Sequence, residues 1–220
     1  MIKAVLFDFD ETLQDRTLAF EGYMDTFFAQ FRPEETGAEL EQCKEDMRIT
    51  GKGGYVNRVE WYQGLIDMWG WTDAPAAEEL AQHYDTTFGD HNVIFEHSIP
   101  LLKELKKRGY ITGVITNGPS YLQNHKLDMS GLKPYLDWNV VSGDVGVHKP
   151  DPALFRYAAE KHGLKPEECV YVGDHPVNDI EGALAAGMQA IRMNWGWFKG
   201  VDLRPDVPVI TDIMDVLKYV

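Results

Sequence analysis

Residues Ile2 to Leu13 read Ile-Lys-Ala-Val-Leu-Phe-Asp-Phe-Asp-Glu-Thr-Leu, and two carboxylates in this stretch constrain the chain more than any other feature. The run Ala4 to Phe7 is short and apolar, as expected of a strand buried on both faces. Asp8 and Asp10 then arrive where burial would otherwise continue. Residues two apart on extended backbone point the same way, so both carboxylates face one small volume beyond the strand end. Like charges that close raise one pKa unless a cation sits between them. A divalent metal with oxygen ligands, such as Mg²⁺, is the natural partner. The strand alone suggests a metal-assisted acid and nucleophile pair.

From Asp15 to about Glu96 the pattern is helix after helix. Phe20, Tyr23, Met24, Phe27, Phe28 and Phe31 recur at three- and four-residue steps, an amphipathic stripe closed by Pro33. A second helix is expected from Gly37 to about Arg48, followed by the glycine-rich break Thr50-Gly51-Lys52-Gly53-Gly54. A third starts near Asn57, and a fourth carries Ala77, Leu80, Ala81, Tyr84 and Phe88. The aromatic stripes are read as core rather than as a ligand box. This segment holds 17 acidic and 6 basic residues, so it carries −11 of the chain's net −14. So acidic a protein repels a nucleic-acid backbone, which excludes DNA or RNA as a partner.

From Ser98 helices and strands alternate. Ser98 is placed as the cap of a helix that ends at Gly109, and Tyr110 to Thr116 forms a second core strand ending in Asn117-Gly118-Pro119. Strands are expected near Trp138–Val141, Cys169–Val172, Met188–Arg192 and Val207–Ile210. Helices are expected after Ser120, from Asp151-Pro152, before Gly187 and from about Thr211. Such alternation implies an α/β fold, a parallel sheet with helices on both faces. Ligands of these sheets sit at the carboxyl ends of the strands. The polar clusters Asp8/Asp10, Thr116/Asn117, Lys149 and Asp174/Asp179 all follow expected strand ends. No segment approaches the roughly 20 apolar residues of a membrane span. No signal peptide is expected, and two distant cysteines, Cys43 and Cys169, suit a reducing cytoplasm.

Four motifs in order, Asp8-Phe-Asp-Glu-Thr-Leu13, Thr116, Lys149-Pro150 and Gly173-Asp174 with Asp179, resemble those of the haloacid dehalogenase-like (HAD) hydrolase superfamily. The arrangement is similar to subfamily I, whose helical (C1-type) cap is inserted after the first strand. The resemblance implies a Rossmann-like core over 1–14 and 97–220 and an inserted α-helical cap over 15–96. Glu11 departs from the glycine most often found at its position.

By resemblance, Asp8 is the nucleophile that becomes an aspartyl-phosphate, and Asp10 is the general acid and then the general base. Thr116, with the backbone amides of Asn117 and Gly118, donates hydrogen bonds to the phosphoryl group, and Lys149 offsets its charge. Mg²⁺ is expected on the Asp8 side chain, the Asp10 backbone carbonyl and Asp174. Asp179 either supports that metal shell or orients the lysine. His148 and His175 flank motif residues, but no second nitrogen or sulfur ligand stands at suitable spacing for zinc.

The cap of such proteins shields the site and selects the substrate. Lys52, together with Arg58 at the glycine-rich break, is therefore a candidate substrate contact. Trp195-Gly-Trp197-Phe198 is read as core cover. The expectation is a Mg²⁺-dependent cytoplasmic phosphatase of small phosphomonoesters, nucleoside monophosphates or sugar phosphates, acting as a monomer or homodimer without a membrane partner. A haloacid dehalogenase, a sugar-phosphate mutase and a catalytically inactive binding protein are the alternatives.

Overall fold

A computed structural model describes residues 1–201 and 204–220. Strand β1 (Ala4–Phe7) is buried along its whole length, as its unbroken apolar run requires. Helices α1 (Arg16–Phe31), α2 (Gly37–Gly51), α3 (Arg58–Trp69) and α4 (Ala77–Thr87) follow. The chain then alternates through α5 (Ser98–Lys107), β2 (Ile111–Thr116), α6 (Ser120–Met129), β3 (Trp138–Val141), α7 (Ser142–Val145) and α8 (Pro152–Lys161). It finishes with β4 (Cys169–Gly173), α9 (Gly182–Ala186), β5 (Gln189–Met193) and β6 (Val209–Ile210).

Two compact units result. One comprises 1–16 and 92–220, the other 17–91. In the first, six parallel strands pair in the order β3-β2-β1-β4-β5-β6, with β1 between β2 and β4. Phe7 lies opposite Val114 and Val172, so β1, β2 and β4 end at one edge of the sheet. Alternate side chains of β1 enter opposite cores. Ala4 and Leu6 pack with Phe155 and Ala158 of α8 and with Ala183 of α9. Val5 and Phe7 pack with Leu101 and Leu105 of α5, and with Ile213 and Val216 near the C-terminus.

The second unit is held by rings. Tyr23, Met24, Phe27 and Phe28 of α1 are buried, while Phe20 and Phe31 are partly so. Phe27 stacks on Tyr62, Tyr84 stacks on Phe88, and the hydroxyls of Tyr23 and Tyr62 share a hydrogen bond of 2.6 Å. Arg48 makes a forked pair with Glu21 at 2.6 and 2.7 Å, which ties α2 to α1.

Three local expectations change. Ser98 is the first residue of α5 rather than its cap; its hydroxyl donates to the Leu13 carbonyl and so fastens the helix start to the segment after β1. The final helix is a tighter 3₁₀ segment, Ile213–Lys218, capped by Asp212, which accepts the Met214 N–H. Strand β6 is reduced to two residues.

The C-terminal segment is also tied to α5 by His97, whose Nδ1 lies 2.9 Å from the Asp212 carboxylate. That hydrogen bond raises the His97 pKa, while the Met214 N–H and His97 lower that of Asp212. The stabilisation is therefore complete below the ordinary histidine range and lost as pH rises through the raised His97 value. His97→Gln is expected to lower the melting temperature more at about pH 5.5 than at about pH 9. An equal deficit at both values would show that the charge on His97 adds nothing to stability.

Candidate active site

The common ends of β1, β2 and β4 carry the polar residues. Asp8 follows Phe7 and donates its N–H to the Val172 carbonyl, which continues the strand pairing by one residue. Lys149 reaches into this edge with its side chain 2% exposed. Its Nζ lies 2.8 Å from Asp8 Oδ1 and 2.7 Å from Asp179 Oδ1, and it donates to the Tyr171 hydroxyl at 3.0 Å. The backbone at Lys149 is clamped by Asn117: the Asn117 side chain accepts the Lys149 N–H and donates to the Lys149 carbonyl, both at 2.9 Å.

Asp179 stands on a wide π-type turn, Pro176–Glu181, that leads into α9, where the sequence suggests ordinary helix. Its Oδ2 accepts the His175 N–H at 2.9 Å. Gly173 makes this approach possible, since a Cβ there would lie 2.4 Å from Asp179 Cγ. Ligand oxygens of Asp8, Asp174 and Asp179 lie within 4.8 Å of one another, all in buried residues.

Burial pushes the Asp8 pKa up to about 7 against the attraction of Lys149, and repulsion from Asp179 and Asp10 adds to the rise. Burial, then Asp179 and Asp8, hold Asp174 well above the usual carboxylate range. Burial works against the Lys149 ammonium, but Asp179 and Asp8 outweigh it and raise its pKa. One ammonium among three carboxylates leaves an excess of negative charge. The donor set is all oxygen and buried, which suits a hard divalent cation such as Mg²⁺.

Asp10 faces a second cation. Lys126 of α6 places Nζ 2.5 and 2.7 Å from the two Asp10 oxygens. Burial would raise the Asp10 pKa, yet Lys126 and Arg16 outweigh it and lower it. Gln123, one turn earlier, donates to Thr116 Oγ1 at 2.6 Å, and its carbonyl accepts from Lys126 at 2.8 Å. A Cβ on Gly118 would lie 2.6 Å from Gln123 Cγ, so the glycine makes room for that side chain. The Gly118 N–H is directed to Ser142 Oγ at 3.0 Å.

Asp8, Lys149, Asp174 and Asp179 are thus brought together, with Asp10, Thr116, Asn117 and Gly118 on the same sheet edge. Lys52 belongs to the other unit. It is exposed, with φ 45° and ψ 46°, the left-handed region rarely taken by lysine. Arg58 is occupied within that unit, paired with Asp85 at 3.2 Å and lying over the Tyr84 ring. Glu11 also takes a left-handed conformation, φ 57°, which is where glycine is at home. His175 Nδ1 accepts the N–H groups of Val177 and Asn178, and His148 Nδ1 pairs with Ser142 Oγ, so both rings serve the local backbone and loop. The Trp195–Phe198 segment is only partly buried, with Trp197 54% exposed, and Phe198 packs on the His175 ring.

Sequence reading overlooked Lys126, Gln123 and Tyr171. Tyr171 carried a faint signal, a hydroxyl inside an otherwise apolar strand, and that hydroxyl donates to the Ile115 carbonyl.

The family model for haloacid dehalogenase-like hydrolases matches residues 2–187. The chain belongs to that family. It is 33% identical to a glyceraldehyde 3-phosphate phosphatase of Methanopyrus kandleri over 94% of this chain and 90% of that protein. Among solved structures of the family, a HAD phosphatase from Thermococcus onnurineus superposes with a TM-score of 0.68 at 27% identity, over 99% and 97% of the two chains. A 2-haloacid dehalogenase from Pseudomonas syringae superposes with a TM-score of 0.64 at 30% identity, over the same shares. No helix among the described residues is long and apolar enough to cross a membrane.

Proposed function

We propose that this HAD hydrolase is a Mg²⁺-dependent phosphatase of small phosphomonoesters that works through an aspartyl-phosphate on Asp8. The observation that carries the reading is the pairing of Asp8 with Lys149 inside a buried set of three carboxylates. Lys149 holds the Asp8 oxygen in place and offsets charge as the phosphoryl group approaches. Asp8 attacks phosphorus, the ester oxygen departs, and Asp10 gives that oxygen a proton. Asp10 then takes a proton from the water that hydrolyses the aspartyl-phosphate, which restores Asp8. The charge of the incoming substrate favours a protonated Asp10 for the first step. Thr116 Oγ1 donates to a phosphoryl oxygen, with the Asn117 amide as a further donor and the Gly118 amide joining only by giving up its bond to Ser142 Oγ.

Asp8, Asp174 and the Asp10 carbonyl would hold Mg²⁺, which when bound supplies positive charge against the phosphoryl oxygens. Both Asp179 oxygens accept hydrogen bonds, from Lys149 and from the His175 N–H, which favours the lysine-orienting role for this residue. Displacing a halide calls for no leaving-group proton and brings no phosphoryl dianion, so Asp10 and the cation site argue against dehalogenation. Glyceraldehyde 3-phosphate is the first ester to test, given the relative of that name. We place the protein in the cytoplasm, where the buried free thiols of Cys43 and Cys169 stay reduced.

Phosphate release from a panel of phosphorylated metabolites is expected to need Mg²⁺, to stop with EDTA and to fall at least about 10²-fold in Asp8→Asn. An Asp8→Asn variant that keeps a tenth of wild-type turnover would overturn the nucleophile. Chloride release from a 2-chloro acid without metal, and no phosphate release from any ester, would favour the dehalogenase.

Units 17–91 would act as the substrate-selecting cap, with Lys52 as a substrate contact. Arg32, Lys44, Arg48 and Arg58 are all ion-paired, whereas Lys52 pairs with no carboxylate among the described residues. Lys52→Ala is expected to raise KM or reorder the panel while kcat on a minimal aryl phosphate holds. Unchanged KM across the whole panel would remove Lys52 from the site.

A further inference from the structure

Lys126 is unusual among the lysines of this protein. Its side chain is 2% exposed, and it spans from α6 to the carboxylate of Asp10, which is 24% exposed. The ammonium approaches both oxygens and the Gln123 carbonyl, and it also lies over the Phe9 ring at 5.3 Å. A position that only filled the core would hold an apolar side chain, because a desolvated ammonium is costly without close partners.

Gln123 extends the arrangement. Its amide nitrogen donates to Thr116 Oγ1 at 2.6 Å and stands 3.4 Å from Asp10 Oδ2, while its oxygen accepts from Lys126. A continuous chain of hydrogen bonds, Thr116–Gln123–Lys126–Asp10, therefore joins the end of β2 to the segment after β1 through one face of α6. Gln123 and Lys126 are three apart, the spacing that places two side chains on one side of a helix.

We propose that Lys126, braced by Gln123, is a positioning residue that fixes the Asp10 carboxylate in register with Thr116. The chain keeps the proton-transferring oxygen and the phosphoryl-oxygen donor at a constant separation. Lys126 transfers no proton itself; it acts through the Asp10 carboxylate that it holds. The inference rests on the acid/base reading of Asp10.

The test compares kcat/KM for an alkyl phosphate, whose leaving oxygen needs a proton, with that for 2,4-dinitrophenyl phosphate, whose leaving group does not. Because kcat/KM reports only up to transfer of the phosphoryl group, the ratio isolates protonation from general effects on binding or folding. Asp10→Asn is expected to lower the alkyl-to-aryl ratio by about 10²-fold. Lys126→Met is expected to lower it by at least about 10-fold, and Lys126→Arg to restore most of the loss. The double variant is expected to show no lower ratio than Asp10→Asn alone. Should Lys126→Met fail to fold, Gln123→Met tests the same brace and is expected to lower the ratio in the same direction.

A selective Asp10→Asn beside variants of Lys126 and Gln123 that depress both substrates equally would overturn the positioning role and leave the acid/base reading standing. An unselective Asp10→Asn would overturn the reading itself, and the proposal with it.

Discussion

The site depends on one buried ammonium. Lys149 sits between Asp8 and Asp179 with its side chain 2% exposed, and it is the positive charge that lets acidic side chains gather at the ends of β1 and β4. Removing one member of such a buried ion set costs about 3–5 kcal/mol, against a total stability of about 5–15 kcal/mol for an ordinary domain. Lys149 is therefore part of the fold as well as of the proposed chemistry. Its supports are correspondingly many: the Asn117 amide holds its backbone, the Tyr171 hydroxyl accepts from its tip, and Gly173 leaves room for Asp179.

A second ammonium divides the labour. Asp8 and Asp10 leave one strand two residues apart, yet each meets a different lysine. Lys149 meets Asp8 from the loop before α8, and Lys126 meets Asp10 from α6. The two carboxylates consequently differ in proton affinity: burial drives Asp8 up to about 7, whereas Lys126 outweighs burial at Asp10 and lowers it. The parallel register sets the stage, because Phe7, Val114 and Val172 are level and the residues that follow them share one edge.

Much of this was legible in the sequence, for physical reasons. A four-residue apolar run can satisfy burial on both faces only within a covered sheet, so β1 and its terminal carboxylates could be read directly. The roles of Lys149 and Asp174 came from the family resemblance, since no spacing links residues so distant in the chain. Lys126 was invisible because a lysine on a helix normally faces water, and only the packing of α6 against the segment after β1 turns it inward. Gln123 was hidden in the same way. Ser98 was misread as a cap because its hydroxyl has a partner far away in sequence, the Leu13 carbonyl. The left-handed backbone at Glu11 explains why glycine suits that position and shows that a longer residue is accommodated there.

The central claim is that Asp8 becomes covalently phosphorylated. An acid quench during turnover, followed by borohydride reduction, converts an acyl phosphate to the alcohol and leaves ordinary carboxylates intact, so a trapped Asp8 would appear as homoserine at position 8 in peptide sequencing by mass spectrometry. The account predicts homoserine at that position, formed only when substrate and Mg²⁺ are both present. Homoserine at Asp10 instead, or none anywhere while phosphate is being released, would contradict it.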